Sequence, residues 1–241
     1  MAELDRRGRP SAAACARRRV RVGAVCFVLL AIGLAGCRSG APPTLVERAD
    51  AVLAEGDRLE AARLYREAAV QDPDNVRAWH GRAVVALLDA EPEASLGFYV
   101  EIARRDREYL QSHARLDYSA TLIAAGHERL ARGRSDGAVR ALKAAREITP
   151  GVPGLDQDLG RALTARGERL SMLGHSKRAL ADFNQAIVLT PGRAEPYVGA
   201  AQILLAHGRR DAALKLLAVA LRHHPSDLRV RALTIEAVGP H

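Results

Sequence analysis

Cysteine is scarce in this sequence and missing from most of its length. The three cysteines, Cys15, Cys26 and Cys37, all lie within the first 37 of the 241 residues. The chain after Cys37 therefore offers no thiol for a disulfide, for a cysteine metal site or for a cysteine nucleophile. A domain in that part of the chain has to be stabilised by packing alone.

The sequence also lacks the short motifs that mark common catalytic sites. It contains no HExxH metal motif, no G-x-S-x-G nucleophile elbow, no P-loop and no dinucleotide-binding fingerprint. The eight histidines are scattered without metal-ligand spacing: His80, His113, His127, His175, His207, His223, His224 and His241. We therefore expect no enzymatic activity, no cofactor and no metal site.

One histidine pair leaves an alternative open. His223 and His224, with Asp227 close by, could bind a metal ion weakly. The interpretation that we favour places the pair in the last turn of a helix, where histidine interacts with exposed carbonyl groups.

Lysine is rare, with three residues against 33 arginines, and the formal net charge is +8. Residues 1–36 contain seven arginines against Glu3 and Asp5, or +5. The rest of the chain, with 29 basic and 26 acidic residues, is therefore only +3. Because most of the excess charge lies in the first 36 residues, the basic pI does not predict nucleic-acid binding.

The N-terminal segment has the order of parts typical of an export signal. Arginines 17–19 and Arg21 precede fifteen uncharged residues, Val22 to Gly36, a run too short to span a bilayer but suited to a signal peptide. The run ends in Leu34, Ala35, Gly36 and Cys37. These four residues resemble the lipobox of bacterial lipoproteins, and the resemblance implies cleavage after residue 36 and lipidation of Cys37; a plain secretory signal is the alternative.

The same resemblance predicts where the protein resides. Residues 1–36 would be a lipoprotein signal peptide and residues 37–43 a lipidated tether. Arg38 is not the aspartate associated with inner-membrane retention, so the resemblance implies the outer membrane, facing the periplasm.

A repeat dominates the remaining sequence. The same residue types precede Pro73, Pro150, Pro191 and Pro225. An alanine lies 5 residues before each proline and another lies 12 before, with a bulky apolar residue 8 before and a glycine 17 before. The glycine suits the end of a first helix, the two alanines lie on one face of a second helix, and the proline ends that helix. The pattern predicts helix–turn–helix units of about 34 residues.

These residues resemble the tetratricopeptide repeat. The resemblance implies an all-α, right-handed solenoid of about five repeats over residues 44–238, closed by a capping helix at 228–238, because a terminal repeat leaves an apolar face to cover. The predicted repeats are 42–75, 76–109, 119–152, 160–193 and 194–227. The second is the least regular: Ser95, Ile102 and Arg107 replace its alanines and proline.

Two intervals between the prolines exceed whole repeats. The interval from Pro73 to Pro150 is two repeats plus nine residues, and the interval from Pro150 to Pro191 is one repeat plus seven. Both excesses are close to two helical turns. We therefore expect the first helices of the third and fourth units to begin early, near 107–110 and 155; inserted loops are the alternative.

In the repeat family, first helices line a concave groove that binds protein segments. The resemblance assigns to this groove Arg77, His80, Ile123, His127, Arg161, Thr164, Glu168, Val198 and Gln202. This mixed lining suits an extended or helical protein segment. The lysine and asparagine that clamp a terminal carboxylate in chaperone-binding members do not occupy the corresponding positions here.

The function that these features predict is an envelope-anchored adaptor that binds other envelope proteins, touches the membrane through its N-terminal lipid and does not bind nucleic acid. Proteins of this architecture resemble the pilotin-type lipoproteins that help a pilus or secretion system assemble, although fold does not imply function. One alternative is an adaptor that docks peptidoglycan-remodelling enzymes or proteases. Another is a self-associating, homo-oligomeric solenoid.

Overall fold

The computed structural model describes residues 42–239. The predicted signal peptide, lipobox and Cys37 lie outside the described residues. Within the described part, every element of regular structure is an α-helix. The helices are α1 Leu45–Ala54, α2 Arg58–Gln71, α3 Val76–Leu88, α4 Pro92–Arg105, α5 Arg107–Ser112, α6 Arg115–Ala131, α7 Ser135–Ile148, α8 Leu155–Met172, α9 Ser176–Leu189, α10 Glu195–Ala206, α11 Arg210–His223 and α12 Leu228–Val238.

Five helix pairs and one final helix form a solenoid, as the repeat pattern predicts. The pairs are α1/α2, α3/α4, α6/α7, α8/α9 and α10/α11, and α12 packs against α10 and α11. Residues 43–239 belong to one compact unit. The clusters of buried apolar residues draw only on residues between Leu45 and Ala237, so this unit carries its own core.

The alternation of small and bulky residues produces the close packing. All eight alanines of the repeat pattern are buried, and so are the four bulky residues between them, Tyr65, Leu142, Phe183 and Leu217. In the irregular second repeat, Ser95 is also fully buried. Its hydroxyl donates a hydrogen bond to the Ala83 carbonyl at 2.8 Å, which removes the penalty for burying it there.

The glycines of the pattern adopt the left-handed conformation that the turn requires. Gly174, between α8 and α9, has a φ of 76°, a conformation that glycine adopts without a steric penalty. In the second repeat Ala90 occupies the corresponding place and still has a φ of 61°. The surrounding structure therefore imposes the turn even on a residue with a Cβ.

The two longer intervals are accommodated differently. Helix α8 begins at Leu155, as predicted. The prediction for the third unit is wrong: residues 107–112 form the separate helix α5, and α6 begins only at Arg115. The Ser112 hydroxyl donates to the Glu108 carbonyl at 2.7 Å, a local bond that competes with helix continuation, and the chain bends between the two helices.

The capping helix α12 packs only some of its apolar residues against the core. Leu233 packs against the C-terminal core cluster, but Leu228 and Ile235 are 76% and 73% exposed. Val230 and Ala237 are buried instead. Asp227 accepts hydrogen bonds from the backbone N–H groups of Arg229 and Val230, which fixes the start of α12, and Val230 and Ala237 lie seven residues apart on the face toward the core.

The helices of residues 42–239 are all too short or too polar to traverse a lipid bilayer.

Candidate protein-binding groove

At the N-terminal end of the first-helix surface, the predicted groove residue Arg77 binds within the protein. Arg77 Nη2 on α3 lies 3.0 Å from Asp50 Oδ2 on α1. The Tyr65 hydroxyl donates to the other oxygen of Asp50 at 2.6 Å. Burial, together with the Asp50 carboxylate, raises the pKa of Tyr65. One carboxylate oxygen of Asp50 thus binds Tyr65 within the first repeat, and the other binds Arg77 of the second repeat.

His80 is also satisfied by its own chain. Its Nε2 lies 3.0 Å from Asp117 Oδ2 on α6, and its Nδ1 lies 3.1 Å from the Tyr109 hydroxyl on α5. Only 17% of the His80 side chain is exposed. The extra helix α5 therefore covers the groove at this position, and sequence reasoning did not foresee it because it treated 107–112 as part of a longer helix.

The predicted groove residues in the middle of the first-helix surface also make contacts within the protein. His127 Nε2 lies 2.6 Å from Asp158 Oδ2, and Arg161 pairs with the same carboxylate. Ile123 packs half-buried against the central core cluster. Thr164 is buried, and its hydroxyl donates to the Gly160 carbonyl at 2.9 Å. Ile123 and Thr164 are thus packed within the solenoid, whereas His127 and Arg161 pair with Asp158 and keep about half of their side chains exposed.

The three remaining predicted residues come together around a pocket of about 360 Å³ between α8, α10 and α12. Glu168 projects from α8, and Val198 and Gln202 project from α10. The pocket is lined by Glu168, Ser171, Met172, Phe183, Glu195, Val198, Gly199, Gln202 and Arg229. Met172, which is 80% exposed, contributes apolar surface, whereas Phe183 and Val198 are almost fully covered; the charged and amide groups contribute polar surface.

The polar groups of this pocket differ in whether they are already paired. Glu195 binds Arg193 at 3.0 Å, and Arg229 binds Asp227 at 2.9 Å. The Asp227 carboxylate raises the pKa of Arg229, with smaller contributions from Glu195 and Glu168. Within the described residues, the Glu168 carboxylate and the Gln202 amide make no hydrogen bond or ion pair. These two groups are free to bind a partner.

Sequence reasoning missed Arg229, although a signal was present. Arg77 and Arg161 occupy the second position of their repeats, and Arg229 occupies the same position if the 34-residue register is continued into α12. Because the sequence analysis interpreted α12 only as a capping helix, it did not assign Arg229 to the groove.

The histidine pair near the C-terminus lies at a helix end, as predicted. His223 is the last residue of α11 and His224 is its C-cap. Among residues 42–239, no group of three or more His, Cys, Asp or Glu side chains is arranged to hold a metal ion.

Comparisons with known proteins agree with this architecture. Residues 172–234 match the tetratricopeptide repeat family. The sequence has no significant match among curated proteins. Similar solved structures include YrrB, described as a TPR protein with an unusual peptide-binding site, at 18% identity over 78% of this chain and 89% of that one, with a TM-score of 0.43.

Two further structures show the same kind of similarity. TTC0263, a thermophilic TPR protein from Thermus thermophilus, is 23% identical over 80% of this chain and 97% of that one, with a TM-score of 0.35. PilF from Pseudomonas aeruginosa is 17% identical over 80% of this chain and 81% of that one, with a TM-score of 0.38. Similarities at this level concern the fold alone. Residues 172–234 thus match the tetratricopeptide repeat family, and the described residues as a whole form a solenoid of helix pairs.

Proposed function

We propose that this protein is a lipid-anchored interaction scaffold of the bacterial cell envelope, which binds a segment of another protein in the pocket between α8, α10 and α12. The observation that carries the proposal is the contrast along the first helices. Arg77, His80 and His127 are all bound to carboxylates of neighbouring helices, whereas Glu168 and Gln202 line the pocket and form no hydrogen bond or ion pair within residues 42–239.

The pocket chemistry describes the partner segment. An apolar side chain of the partner would bury surface against the exposed side chain of Met172, and each buried methylene contributes about 0.8 kcal/mol. A Lys or Arg beside it would form a charge-assisted hydrogen bond with Glu168. The Gln202 amide can donate to and accept from the partner backbone, which would fix its register.

Within this proposal the specific role is that of an assembly factor, pilotin-like, for a pilus or secretion system. The sequence supports it through the lipobox-like residues 34–37 next to a helical-repeat domain. Lipidation of Cys37 would hold the pocket close to the outer membrane, on the periplasmic side. We assign no catalytic activity to the protein.

A second candidate function is self-association, which one observation favours. Leu228, Ile235 and Val238 leave 76%, 73% and 50% of their surface exposed on α12, at the end of the solenoid. Exposed apolar surface at an open repeat end is a site where another copy could stack.

The test is site-specific photocrosslinking in intact cells. A photoreactive residue replaces Gln202 in the pocket, and in the matched control it replaces Asn184, an exposed residue on α9 that does not line the pocket. A secretin or pilus component captured through position 202 and not through 184 supports the assembly-factor role. Glu168→Gln should weaken that capture about tenfold or more, the usual effect of losing a charged partner in a hydrogen bond.

Other outcomes of this experiment contradict parts of the proposal. Capture of murein hydrolases or proteases would replace the assembly role by an adaptor role, and capture of a second copy alone would favour self-association. Equal capture through positions 184 and 202 would contradict the pocket as the binding site. Cys37→Ser should release the protein from the membrane fraction or leave it unprocessed; unchanged fractionation would contradict the lipid anchor.

A further inference from the structure

The turns that join the first and second helices of the repeats lie side by side along one edge of the solenoid. Ion pairs connect them in sequence: Arg58 at the start of α2 with Asp89 at the end of α3, Glu93 at the start of α4 with Arg129 near the end of α6, and Asp136 at the start of α7 with Arg169 near the end of α8. Because helix directions alternate, the second helices all begin at this edge.

The residue that precedes each second helix changes its charge along the edge. The N-cap residues of α2 and α4 are Asp57 and Glu91, whereas those of α7, α9 and α11 are Arg134, His175 and Arg209. The Asp57 side chain accepts the backbone N–H of Glu60 at 3.0 Å, as a good cap does. Arg134, His175 and Arg209 cap nothing with their side chains.

These basic residues are unfavourable for the stability of their helices. Ser, Thr, Asp or Asn at the N-cap would satisfy a free N–H group, and a cation there faces the positive end of the helix dipole. The first turns add further cations, Lys177 and Arg178 in α9 and Arg210 in α11. The first turns of α7 and α11 also contain Asp136 and Asp211, but α9 has no acidic residue in its first turn, so its cations are not offset there.

Five cations of this edge, Arg134, Lys177, Arg178, Arg209 and Arg210, are here called the basic edge. Within the described chain none of the five forms an ion pair or a side-chain hydrogen bond, and all are exposed. In the same repeats the loops of the opposite edge contain their charges as pairs: Arg146 with Asp156 at 2.9 Å, Arg193 with Glu195 at 3.0 Å, and Arg229 with Asp227 at 2.9 Å. The five cations of the basic edge, by contrast, have no such partner within the described chain.

An exposed leucine lies in the middle of the basic edge. Leu173, in the turn between α8 and α9, has 58% of its surface exposed. Phe, Tyr and Trp are absent from these three turns, residues 131–134, 172–175 and 206–209. The edge therefore combines cations with an aliphatic side chain and has no aromatic ring on which a nucleobase could stack.

We propose that the basic edge binds the surface of an anionic phospholipid membrane. Helices pack roughly 8–10 Å apart, so cations on three successive turns are spread over an extended front, which suits many phosphate groups in a plane better than one small anion. Leu173 can enter the boundary between headgroups and acyl chains, as apolar residues of interfacial segments do. The predicted tether, residues 37–43, spans at most roughly 25 Å, so a lipid at Cys37 would hold the start of α1 near a bilayer.

The test measures binding of the segment 43–241, without lipid, to vesicles of phosphatidylcholine alone and of an equimolar mixture with phosphatidylglycerol. The edge variant replaces Lys177, Arg178 and Arg209 by Gln. The control variant replaces Arg107, Arg115 and Arg222 by Gln. These residues are exposed at the opposite edge and form no ion pair with any described residue, so both variants lose three positive charges.

The wild-type segment should bind the mixed vesicles and not phosphatidylcholine, and binding should be lost at about 1 M salt, where the screening length falls to ~3 Å. Each cation near an anionic leaflet contributes about fivefold to partitioning, so the edge variant should bind roughly a hundredfold more weakly and the control far less so. Leu173→Ser should weaken binding severalfold without changing the charge.

Three results would overturn the proposal. Absence of wild-type binding to the mixed vesicles at low salt would remove it, and equal losses in the edge and control variants would show that only net charge matters. Tighter binding to a DNA duplex than to the mixed vesicles, abolished by the same edge variant, would reassign the edge to nucleic acid.

Discussion

The packing around Phe183 leads to a prediction that separates two effects of the same substitution. Gly199 on α10 and Gly97 on α4 are both helical glycines. A Cβ added to Gly97 meets nothing within 4 Å, whereas a Cβ added to Gly199 lies 2.7 and 2.8 Å from Cε1 and Cε2 of Phe183. We predict that Gly97→Ala stabilises the protein and that Gly199→Ala does not.

The magnitudes follow from two opposing terms. Alanine is better than glycine in a helix interior by about 1 kcal/mol, and Gly97→Ala should show most of this gain. At Gly199 the carbon–carbon distances are well below the favourable ~3.5–4.0 Å, so the Phe183 ring has to move. It cannot retreat freely, because a Cβ on Gly167, on the other side, would lie 2.8 Å from the same Cε1. Overpacking of this kind costs about 1–3 kcal/mol.

The expected difference between the two variants is therefore about 1–3 kcal/mol, measured by urea and thermal unfolding followed by circular dichroism. For a domain of this size 1 kcal/mol corresponds to roughly 2–4 °C in Tm. Adding Phe183→Leu to Gly199→Ala should recover part of the loss if the ring is its cause. Equal stabilisation by Gly97→Ala and Gly199→Ala would refute the close packing of Phe183 between α8 and α10.

Three further predictions concern single contacts. Arg166 binds both carboxylate oxygens of Asp182, at 2.6 and 2.7 Å, and only 20% of its side chain is exposed. Asp182→Ala should therefore destabilise the protein by an amount at the low end of ~3–5 kcal/mol, because it leaves this cation without its partner. Unchanged urea unfolding would contradict this. Ala90→Gly should stabilise by about 0.5–1 kcal/mol, since it relieves a left-handed alanine at the cost of a more flexible unfolded chain, and a lower Tm would count against the strain. The hydrogen bond from Arg129 lowers the pKa of Glu93 from its ordinary 4.5, so the stabilisation from this ion pair is complete above pH 4.5 and is lost as the pH falls through the lower pKa of the folded state. Tm should therefore fall less steeply with acid in Glu93→Gln than in the wild type. Parallel profiles of Tm against pH would exclude this contribution.

The fold was predictable from the sequence because the same packing requirement recurs in each repeat. A buried alanine pair, a bulky residue between them and a turn glycine are local requirements that recur at fixed offsets, so four copies reinforce one another. The second repeat shows what this reasoning leaves out. Ala90 keeps the left-handed turn without glycine, and Ser95 stays buried by bonding to the Ala83 carbonyl, because tertiary contacts override the local preference.

The groove was less predictable because the repeat register places a side chain on the groove surface but does not show whether that side chain is already bound within the protein. The repeat register places His80 and Gln202 on equivalent surfaces, yet His80 is held by Tyr109 and Asp117 and Gln202 has no partner in the described chain. Those partners lie 29 and 37 residues away and depend on where α5 breaks from α6. Spacing within one repeat contains no information on such contacts.

The polar links between consecutive first helices are unevenly distributed along the solenoid. Asp50–Arg77, His80–Asp117 and His127–Asp158 each join the first helices of consecutive repeats, from α1 to α8. In a solenoid, stability is the sum of such nearest-neighbour interfaces, so these bonds stiffen the N-terminal repeats. Between α8 and α10 no ion pair of this kind forms within the described chain, and apolar contacts of Leu170 and Phe183 with Ala200 and Ile203 hold the two repeats together. A partner that binds Glu168 and Gln202 would therefore add the polar link that this junction lacks, and binding and stiffening of the C-terminal repeats would be coupled.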